Sequence, residues 1–297
     1  MTGTADATPR EVGALTDEMA SVVKEIFDAA SAADGVAPLS EATVLHVRHQ
    51  RGPGGPYADF IVGDGDGYAH LDLGVEPDGE LVVHPRARLH GHGRALLDAL
   101  ATRGGPQVRV WAHGDLPAAA ALARSAGWLR ARALWQMRRP LSDPLPDVAL
   151  APGVTLRTFV VGKDEDAWLE VNRRAFAHHP EQGSWTPQDV ALREQEEWFD
   201  PEGFFLAERD GRLIGFHWTK IHPDQIGEVY VVGIDPGAQG GGLGRALTIA
   251  GLRYLRSRGL ADVMLYVDED NQAAVKMYTA LGFTRWHTDV MYASAAR

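Results

Sequence analysis

A glycine-rich run between residues 233 and 244 is the part of this chain whose composition and spacing point most directly to chemistry. The run reads Gly233-Ile-Asp-Pro-Gly-Ala-Gln-Gly-Gly-Gly-Leu-Gly244, follows an apolar segment and precedes a helical pattern. Glycines let the backbone approach a ligand closely, and the first N–H groups of a helix lack intrahelical partners, so such a turn can bind a pyrophosphate. Arg245 can add a charged donor. The run matches neither the Gly-x-Gly-x-x-Gly motif of dinucleotide-binding folds nor the Gly-Lys-Ser/Thr of P-loops.

A related turn occurs in the first half of the chain. Residues 84–96 align without gaps on residues 235–247, which places Pro85 opposite Pro236. Downstream, residues 126–128 (Ala-Gly-Trp) align with residues 281–283 (Leu-Gly-Phe) at a slightly larger offset, as an insertion in a connecting loop would produce. The repeat predicts that one domain has been duplicated.

Hydrophobic periodicity predicts the same order of elements in each half. In the first half it predicts helices near 16–33 and 92–103, strands near 57–62, 67–74 and 79–84, and then a strand, a helix and a strand. In the second half it predicts strands near 154–159, 203–209, 212–220, 226–234, 262–267 and 284–292, and helices near 164–178, 187–198, 242–258 and 271–281. Asp-Gly turns indicate antiparallel neighbours, and the strand-helix-strand passages indicate parallel crossovers. We therefore expect an α/β fold with a mixed sheet flanked by helices.

Four prolines between residues 140 and 152 predict a linker, because proline fixes φ and removes a backbone donor. The expected domains are 1–140 and 154–297, joined by 141–153, and a length of 297 residues suits two cores.

The net charge of −11 argues against a nucleic-acid partner, and no apolar run is long enough to cross a membrane. The start of the chain lacks the order of a secretion signal, so we expect a cytoplasmic location. The chain has no cysteine, which excludes a thiol nucleophile.

The second half resembles the GNAT superfamily of N-acetyltransferases over most of residues 154–292. The resemblance is carried by Gln239-x-x-Gly242-x-Gly244 after an apolar strand, by Asn271 through Tyr278, and by the Leu-Gly-Phe at 281–283. It implies two tandem GNAT (acyl-CoA N-acyltransferase) domains that use acetyl-CoA as co-substrate. The implied cofactor-binding residues of the second half are Val232, Gly233, Ile234, Gln239, Gly240, Gly241, Gly242, Leu243, Gly244, Arg245, Asn271 and Lys276. Asn271 could instead be a helix cap and Lys276 part of a solvated face.

The three consecutive glycines at 240–242 depart from the family pattern, because relatives commonly carry an arginine or lysine there. We therefore expect pyrophosphate binding to rely on backbone N–H groups and on Arg245. The resemblance also implies the catalytic pair, with Glu228 as the general base for the amine and Tyr278 as the general acid for the departing thiolate. The competing interpretations are a surface acid on an edge strand for Glu228 and a core tyrosine for Tyr278.

The internal alignment suggests that the first half is non-catalytic, because it places Pro77 opposite Glu228 and Ala123 opposite Tyr278. Cofactor binding without turnover stays a hypothesis there, with candidate residues Leu81, Val82, Val83, Leu89, His90, Gly91, His92, Gly93 and Arg94. His90 and His92, together with His178 and His179, raise the question of a metal. Neither pair has a further ligand at metal-binding spacing, so we expect none.

Three segments resemble a tandem GNAT family that acetylates the cysteinyl α-amine of Cys-GlcN-Ins in the last step of mycothiol biosynthesis. They are residues 111–114, 177–185 and 216–223. The resemblance implies that this small substrate binds through Glu41, Glu181, Lys220, Glu228 and Tyr266, although each could be an ordinary surface residue. We expect a monomer, although the sequence itself does not reveal the oligomeric state. Two alternatives stay open: an acetyltransferase for another amine, such as an aminoglycoside, a polyamine or a protein N-terminus, and a non-catalytic acetyl-CoA-binding module.

Overall fold

The structure, a computed structural model, describes residues 8–49, 56–74, 76–147, 150–177 and 180–294, without the side chains of residues 180 and 181. The chain divides into two compact units. Unit 1 comprises Met1–Leu134 together with His287–Arg297, and unit 2 comprises Trp135–Trp286. Among the described residues, no helix is both long enough and apolar enough to cross a bilayer.

The regular elements follow the predicted order closely. The strands are β1 (Arg10–Val12), β2 (Tyr57–Val62), β3 (Gly67–Asp72), β4 (Asp78–Val83), β5 (Arg109–Ala112), β6 (Trp128–Pro140), β7 (Val154–Thr158), β8 (Phe204–Arg209), β9 (Arg212–Ile221), β10 (Gly227–Ile234), β11 (Asp262–Asp268) and β12 (Thr284–Ser294). The helices are α1 (Asp17–Asp34), α2 (Glu41–His49), α3 (His92–Gly104), α4 (Pro117–Ser125), α5 (Glu165–Ala175), α6 (Pro180–Gly183), α7 (Pro187–Glu194), α8 (Leu243–Ser257) and α9 (Gln272–Ala280).

The sheet of each unit is mixed, as predicted. In unit 1 the order is β1-β2-β3-β4-β5, followed by the C-terminal part of β12. The β4–β5 pair is parallel, whereas β12 runs antiparallel to β5. In unit 2 the order is β6-β11-β10-β9-β8-β7, with β10 and β11 parallel and β7 through β10 antiparallel. Each parallel pair therefore contains the strand that leads into a glycine turn.

The unit boundary differs from the predicted linker. The division falls within β6, a continuous strand, and the proline-rich segment belongs to unit 2. Although the prolines remove donors, Leu141 is 1% exposed in the core, and its N–H donates to the Ala261 carbonyl at 2.7 Å. A second difference concerns the end of the chain, because residues 287–297 belong to unit 1 rather than to the second domain.

Two apolar clusters cover opposite faces of the sheet in unit 2. On one face, Ile249, Leu252 and Leu255 of α8 pack with Val229 of β10. On the other face, Trp168 of α5 is fully buried among aromatic side chains of β8 and β9. Both helices present apolar residues at helical spacing, so burying these stripes fixes β10 between two packed layers.

A buried ionic network lies in unit 1. The His113 ring places Nδ1 at 3.1 Å from the Asp289 carboxylate and Nε2 at 3.0 Å from that of Glu80. Backbone N–H groups also donate to these carboxylates, from Gly114 to Asp289 and from Ser40 to Glu80. Burial opposes the positive charge, but the hydrogen bonds to Asp289 and Glu80 outweigh it and raise the pKa of His113 to about 10. This network ties β12 to the core of unit 1.

Candidate active site

The strands β10 and β11 separate halfway along their length. Their parallel pairing covers Gly227, Glu228 and Val229, and within these two described strands it extends no further, although β10 continues to Ile234 and β11 to Asp268. On its other side, β10 stays paired with β9 as far as Ile234. Beyond Val229 the backbone groups of β10 that face β11 can therefore pair with an extended ligand.

A β-bulge lies where this separation begins. The register between β9 and β10 shifts between Val229 and Val231, which leaves Tyr230 as the extra residue. In a regular strand residues two apart share a face, yet Val229 packs in the α8 cluster and Val231 in the Trp168 cluster. The bulge therefore bends β10 away from β11 and reverses which side chains face each layer.

The glycine turn has the conformation that phosphate binding requires. Gly240 and Gly242 have φ of 92° and 75°, a region that favours glycine, and Gly242 caps α8 without a side-chain hydrogen bond. The first intrahelical bond runs from the Ala246 N–H to the Gly242 carbonyl at 3.0 Å. The N–H groups of residues 243–245 therefore point out of the helix as donors for an anion.

A cavity of about 300 Å³ opens at this turn. Its lining residues are Ile234, Ala238, Gln239, Gly240, Gly242, Leu243, Gly244, Arg245 and Met277. Seven of the predicted cofactor residues are thus brought together in one concave surface. Gly241 lines a smaller neighbouring cavity, and Val232 and Gly233 lie on the separated part of β10.

A charge pair that the sequence did not reveal lies beside the turn. Asp235 accepts from the Gly237 N–H at 2.9 Å, and its other oxygen lies 2.7 Å from Arg174 of α5. The Gly237 N–H, and then Arg174, hold the pKa of Asp235 below its usual range. An uncompensated carboxylate here would repel an anion, so Arg174 makes the turn electrostatically acceptable for a pyrophosphate.

Gly242→Ala is expected to weaken acetyl-CoA binding about tenfold, as measured by calorimetric titration. A Cβ at Gly242 meets no atom within 4 Å, but its φ of +75° is strained for alanine, so the turn relaxes and its N–H groups move. Gly241→Ala is the matched control, because that position is equally open and has no positive φ. The control should stay within about twofold of the wild type; equal affinities for both variants would contradict a phosphate-binding role.

Glu228 lies on β10 just before the bulge and is 6% exposed. Its Oε2 lies 2.7 Å from Nε2 of His222, a residue that we did not predict as part of the site. Lys220 of β9 is opposite Glu228 in the antiparallel register and is also buried. The Nζ of Lys220 lies 4.7 Å from the ring centroid of Trp198 and 5.3 Å from that of Tyr230. The carboxylate thus stands on a face that holds a histidine, a lysine and two aromatic rings.

Tyr278 lies on α9 and is 8% exposed, with its ring centroid 5.8 Å from that of Phe283. Burial raises the pKa of Tyr278 to about 12, so at neutral pH the phenol holds its proton and can donate it. Asn271 caps α9, since its side chain accepts from the Ala274 N–H at 3.1 Å, which is the structural alternative considered above. Lys276 is exposed on the same helix.

The predicted substrate residues are only partly brought together. Lys220 and Glu228 are neighbours across β9 and β10. Tyr266 of β11 is 41% exposed and its hydroxyl accepts from Gln136 at 2.9 Å. Glu41 begins α2 in unit 1. The side chain of Glu181 lies outside the described part of the structure, as do both residues His178 and His179.

The turn of unit 1 repeats the backbone of the second turn with different side chains. Within the described strands β4 and β5, the pairing ends at Glu80, and residues 81–83 of β4 lie beyond it. Gly91, with φ of 90°, caps α3, and Leu89 is fully exposed at the tip.

The side chains of this turn differ from those of the second turn. His92 is buried, with Nε2 at 3.8 Å from Asp66, and Arg94 bonds Asp98 at 2.9 Å. Gly93 and Arg94 are in the first turn of α3, and His90 is exposed.

The strand registers correct the internal alignment at one position. Glu228 pairs with Met264, and Asp78 pairs with Arg109. The separation in sequence between Arg109 and Met264 equals that between Ala123 and Tyr278, so the two pairs correspond. The register between the described strands β3 and β4 has no shift, so the extra residue of β10 displaces a gapless alignment by one. Asp78, rather than Pro77, is therefore the equivalent of Glu228, and unit 1 does carry a carboxylate there. That unit 1 is non-catalytic stays a prediction, now based on Ala123 alone.

Three other residues of unit 1 form a group with metal-ligand chemistry: His46, Asp59 and His70. Each imidazole lies 2.8 Å from a different oxygen of Asp59, and Tyr68 donates to the same carboxylate at 2.6 Å. Burial opposes ionisation, but bonds from His46 and His70 hold the pKa of Asp59 well below its usual range. The buried Nδ1 of His46 has no partner among the described residues, so a metal on Nε2 would leave a buried N–H unsatisfied. The group fits a hydrogen-bonded network better than a metal site.

Comparisons with known proteins agree with this geometry. Residues 167–283 match the family described as "Acetyltransferase (GNAT) family". A GCN5-related N-acetyltransferase from Sphaerobacter thermophilus has a structure similar to this chain, with a TM-score of 0.66, 26% identity and coverage of 96% of this chain and 94% of that one. A tandem GNAT protein from the clavulanic acid biosynthesis pathway shares the fold, with a TM-score of 0.69, 21% identity and coverage of 96% and 97%. The fold class is thus that of two tandem GNAT domains, as predicted.

Curated relatives define the class more narrowly. A mycothiol acetyltransferase of Thermomonospora curvata is 59% identical over 286 residues, covering 94% of this chain and 95% of the relative. A mycothiol acetyltransferase of Thermobispora bispora is 60% identical over 280 residues, covering 91% and 94%. The chain therefore belongs to the mycothiol acetyltransferase family of the GNAT superfamily.

Proposed function

We propose that this protein transfers the acetyl group of acetyl-CoA to the cysteinyl α-amine of Cys-GlcN-Ins, which gives mycothiol and CoA. The observation that carries the proposal is Glu228, a buried carboxylate at the point where β10 separates from β11, on the strand that leads into the glycine-lined cavity. Full-length relatives called mycothiol acetyltransferases support the choice of amine.

The backbone would hold the co-substrate in two places. The N–H groups at the start of α8 and Arg245 bind its pyrophosphate, and the separated part of β10 at residues 232–234 pairs with its pantetheine arm. This arrangement directs the thioester toward the bulge, where β10 and β11 come together. The contributions of Asn271 and Lys276 stay predictions, as does cofactor binding in unit 1.

Glu228 and Tyr278 would supply the proton transfers. An α-amine has an ordinary pKa of about 7.7 to 8, so much of it is neutral near physiological pH and needs only a modest base. The amine nitrogen forms a bond to the thioester carbonyl carbon, and Glu228 takes the proton that this nitrogen loses. When the carbon–sulfur bond breaks, Tyr278 gives its proton to the sulfur and CoA leaves as a thiol.

The substrate's polyol portion would lie on the face that carries Lys220. The rings of Trp198 and Tyr230 support the Lys220 side chain, so the ammonium is pre-positioned for hydroxyl groups. Roles for Glu41, Glu181 and Tyr266 remain part of the proposal, together with a monomeric state and a cytoplasmic location.

The decisive test is CoA release by the purified protein supplied with acetyl-CoA and Cys-GlcN-Ins, beside an aminoglycoside and a peptide amine. Preference for the cysteinyl glycoside by about three orders of magnitude in kcat/KM supports the proposal. Turnover of a different amine would retain the chemistry and reject the substrate. No turnover of any amine, with acetyl-CoA still bound, would indicate the binding module.

Tyr278→Phe is expected to lower kcat by about 100-fold while the Kd for acetyl-CoA stays within twofold, because only the transferable proton is lost. Tyr254→Phe is the matched control, since it deletes a hydroxyl from another tyrosine of the same unit, one that bonds Asp200 at 2.6 Å. The control should retain kcat. A Tyr278→Phe variant with the wild-type rate would assign the general acid elsewhere.

A further inference from the structure

His222 occupies a fixed place in the turn between β9 and β10. Its backbone N–H donates to the Ile226 carbonyl and its own carbonyl accepts from the Gln225 N–H, each at 2.9 Å. These two hydrogen bonds close the turn and fix its backbone, so the position from which the imidazole reaches β10 is also fixed. Its side chain is 24% exposed, whereas that of Glu228 is 7% exposed.

The contact between the two side chains has a defined direction. As the base that the proposed function requires, Glu228 is ionised and only accepts hydrogen bonds, so in that state Nε2 of His222 carries the hydrogen that it shares with Oε2 at 2.7 Å. A bond to a charged partner is stronger than a neutral one, and a buried carboxylate without a donor is costly. The imidazole therefore fixes the Glu228 rotamer and leaves Oε1 to receive the amine proton.

We propose that His222 is a positioning residue for amine acetylation, acting through Glu228. The proposal rests on the proposed function, since it takes Glu228 as the base. Lys220 and Tyr230 are titratable groups on the same face, and the Nζ of Lys220 lies 5.3 Å from the centroid of the Tyr230 ring. His222 is distinguished from them by its direct bond to the reacting carboxylate.

The competing interpretation is that His222 only closes the hairpin. Two variants separate the possibilities. His222→Leu removes the donor, whereas His222→Gln keeps an N–H near the position of Nε2. For a positioning residue, His222→Leu lowers kcat roughly 10- to 100-fold, the factor carried by a hydrogen bond to a charged group. His222→Gln should recover kcat to within about fivefold. The acetyl-CoA KM of both variants should stay near wild type, and the Tm should fall only for His222→Leu, which leaves the buried carboxylate without its donor.

The experiment is completed by placing His222→Leu in a Glu228→Gln background. Because His222 acts through Glu228, the second change should cost less than about twofold there. The proposal would be overturned if the losses in kcat from His222→Leu and Glu228→Gln multiplied in the double variant. It would also be overturned if His222→Leu and His222→Gln lost kcat equally, or if His222→Leu kept the wild-type rate. Each of those outcomes is measured against an active wild type. Failure of the proposed function is a different result, because the wild type would then transfer no acetyl group to Cys-GlcN-Ins and both proposals would be rejected.

Discussion

Replacing Glu228 by glutamine lowers kcat by about 100- to 10,000-fold, while acetyl-CoA affinity stays within twofold of the wild type. Glutamine has nearly the same volume and keeps an oxygen that can accept from His222 at the position of Oε2. It cannot take a proton from the amine. The loss therefore falls on the chemical step rather than on binding or folding, and single-turnover kinetics with saturating acetyl-CoA measure it directly.

The residual rate of this variant should rise between about pH 7 and pH 9, more steeply than that of the wild type. Neutral amine becomes more abundant over that interval, because the ordinary pKa of an α-amine is about 7.7 to 8, and this partly replaces the missing base. Glu202→Gln is the control, since Glu202 is an exposed carboxylate of the same unit. A Glu228→Gln variant with the kcat of this control would refute the assignment of the base.

Replacing His113 by leucine destabilises unit 1 by about 3 to 5 kcal/mol. The change leaves Glu80 and Asp289 buried without the cation that both of them contact, each still held by a backbone N–H. Hydrogen exchange of the amides in β4 and β5 reports on unit 1 specifically, which a global melting curve of a two-unit chain does not.

The pH dependence of this stabilisation has a definite sign. The folded pKa of His113 is raised to about 10, so its contribution is complete below the ordinary value of 6.5 and is lost as the pH rises through 10. Burial opposes the ionisation of Glu80, but the hydrogen bond from His113 lowers its pKa, so that contribution is present above the ordinary 4.5 and is lost on acidification. Adding Glu80→Gln and Asp289→Asn to His113→Leu should restore part of the stability. A loss below about 1 kcal/mol for His113→Leu alone would show that the charges are compensated elsewhere.

Much of the fold is readable from local patterns. Tyr57–Val62 was predicted with both bounds correct, because only Asp59 interrupts its apolar residues and a turn follows directly. β1 and α2 were missed for different reasons. β1 has only 3 residues, too few to show a period, and α2 buries Thr43 and His46 among its apolar residues, which weakens the apolar stripe.

In the candidate site too, features set by the local sequence could be predicted, whereas contacts between elements that are distant in sequence could not. The glycine turn depends on backbone conformation, which glycine spacing reveals. The pairs His222–Glu228 and Arg174–Asp235 depend on how elements pack, and no spacing rule predicts them. The bulge at Tyr230 changes the register without any mark in a gapless alignment, and for this reason Asp78 was overlooked.

The membership of β12 has a consequence for biosynthesis. Residues 287–294 complete the sheet of unit 1, and Asp289 closes its ionic network, yet the ribosome adds them after all of unit 2. Until then the nascent first unit presents β5 as an unpaired edge, the kind of surface that recruits chaperones or mispairs. All residues of unit 2 are therefore synthesised before the last residues of unit 1, although unit 1 begins first.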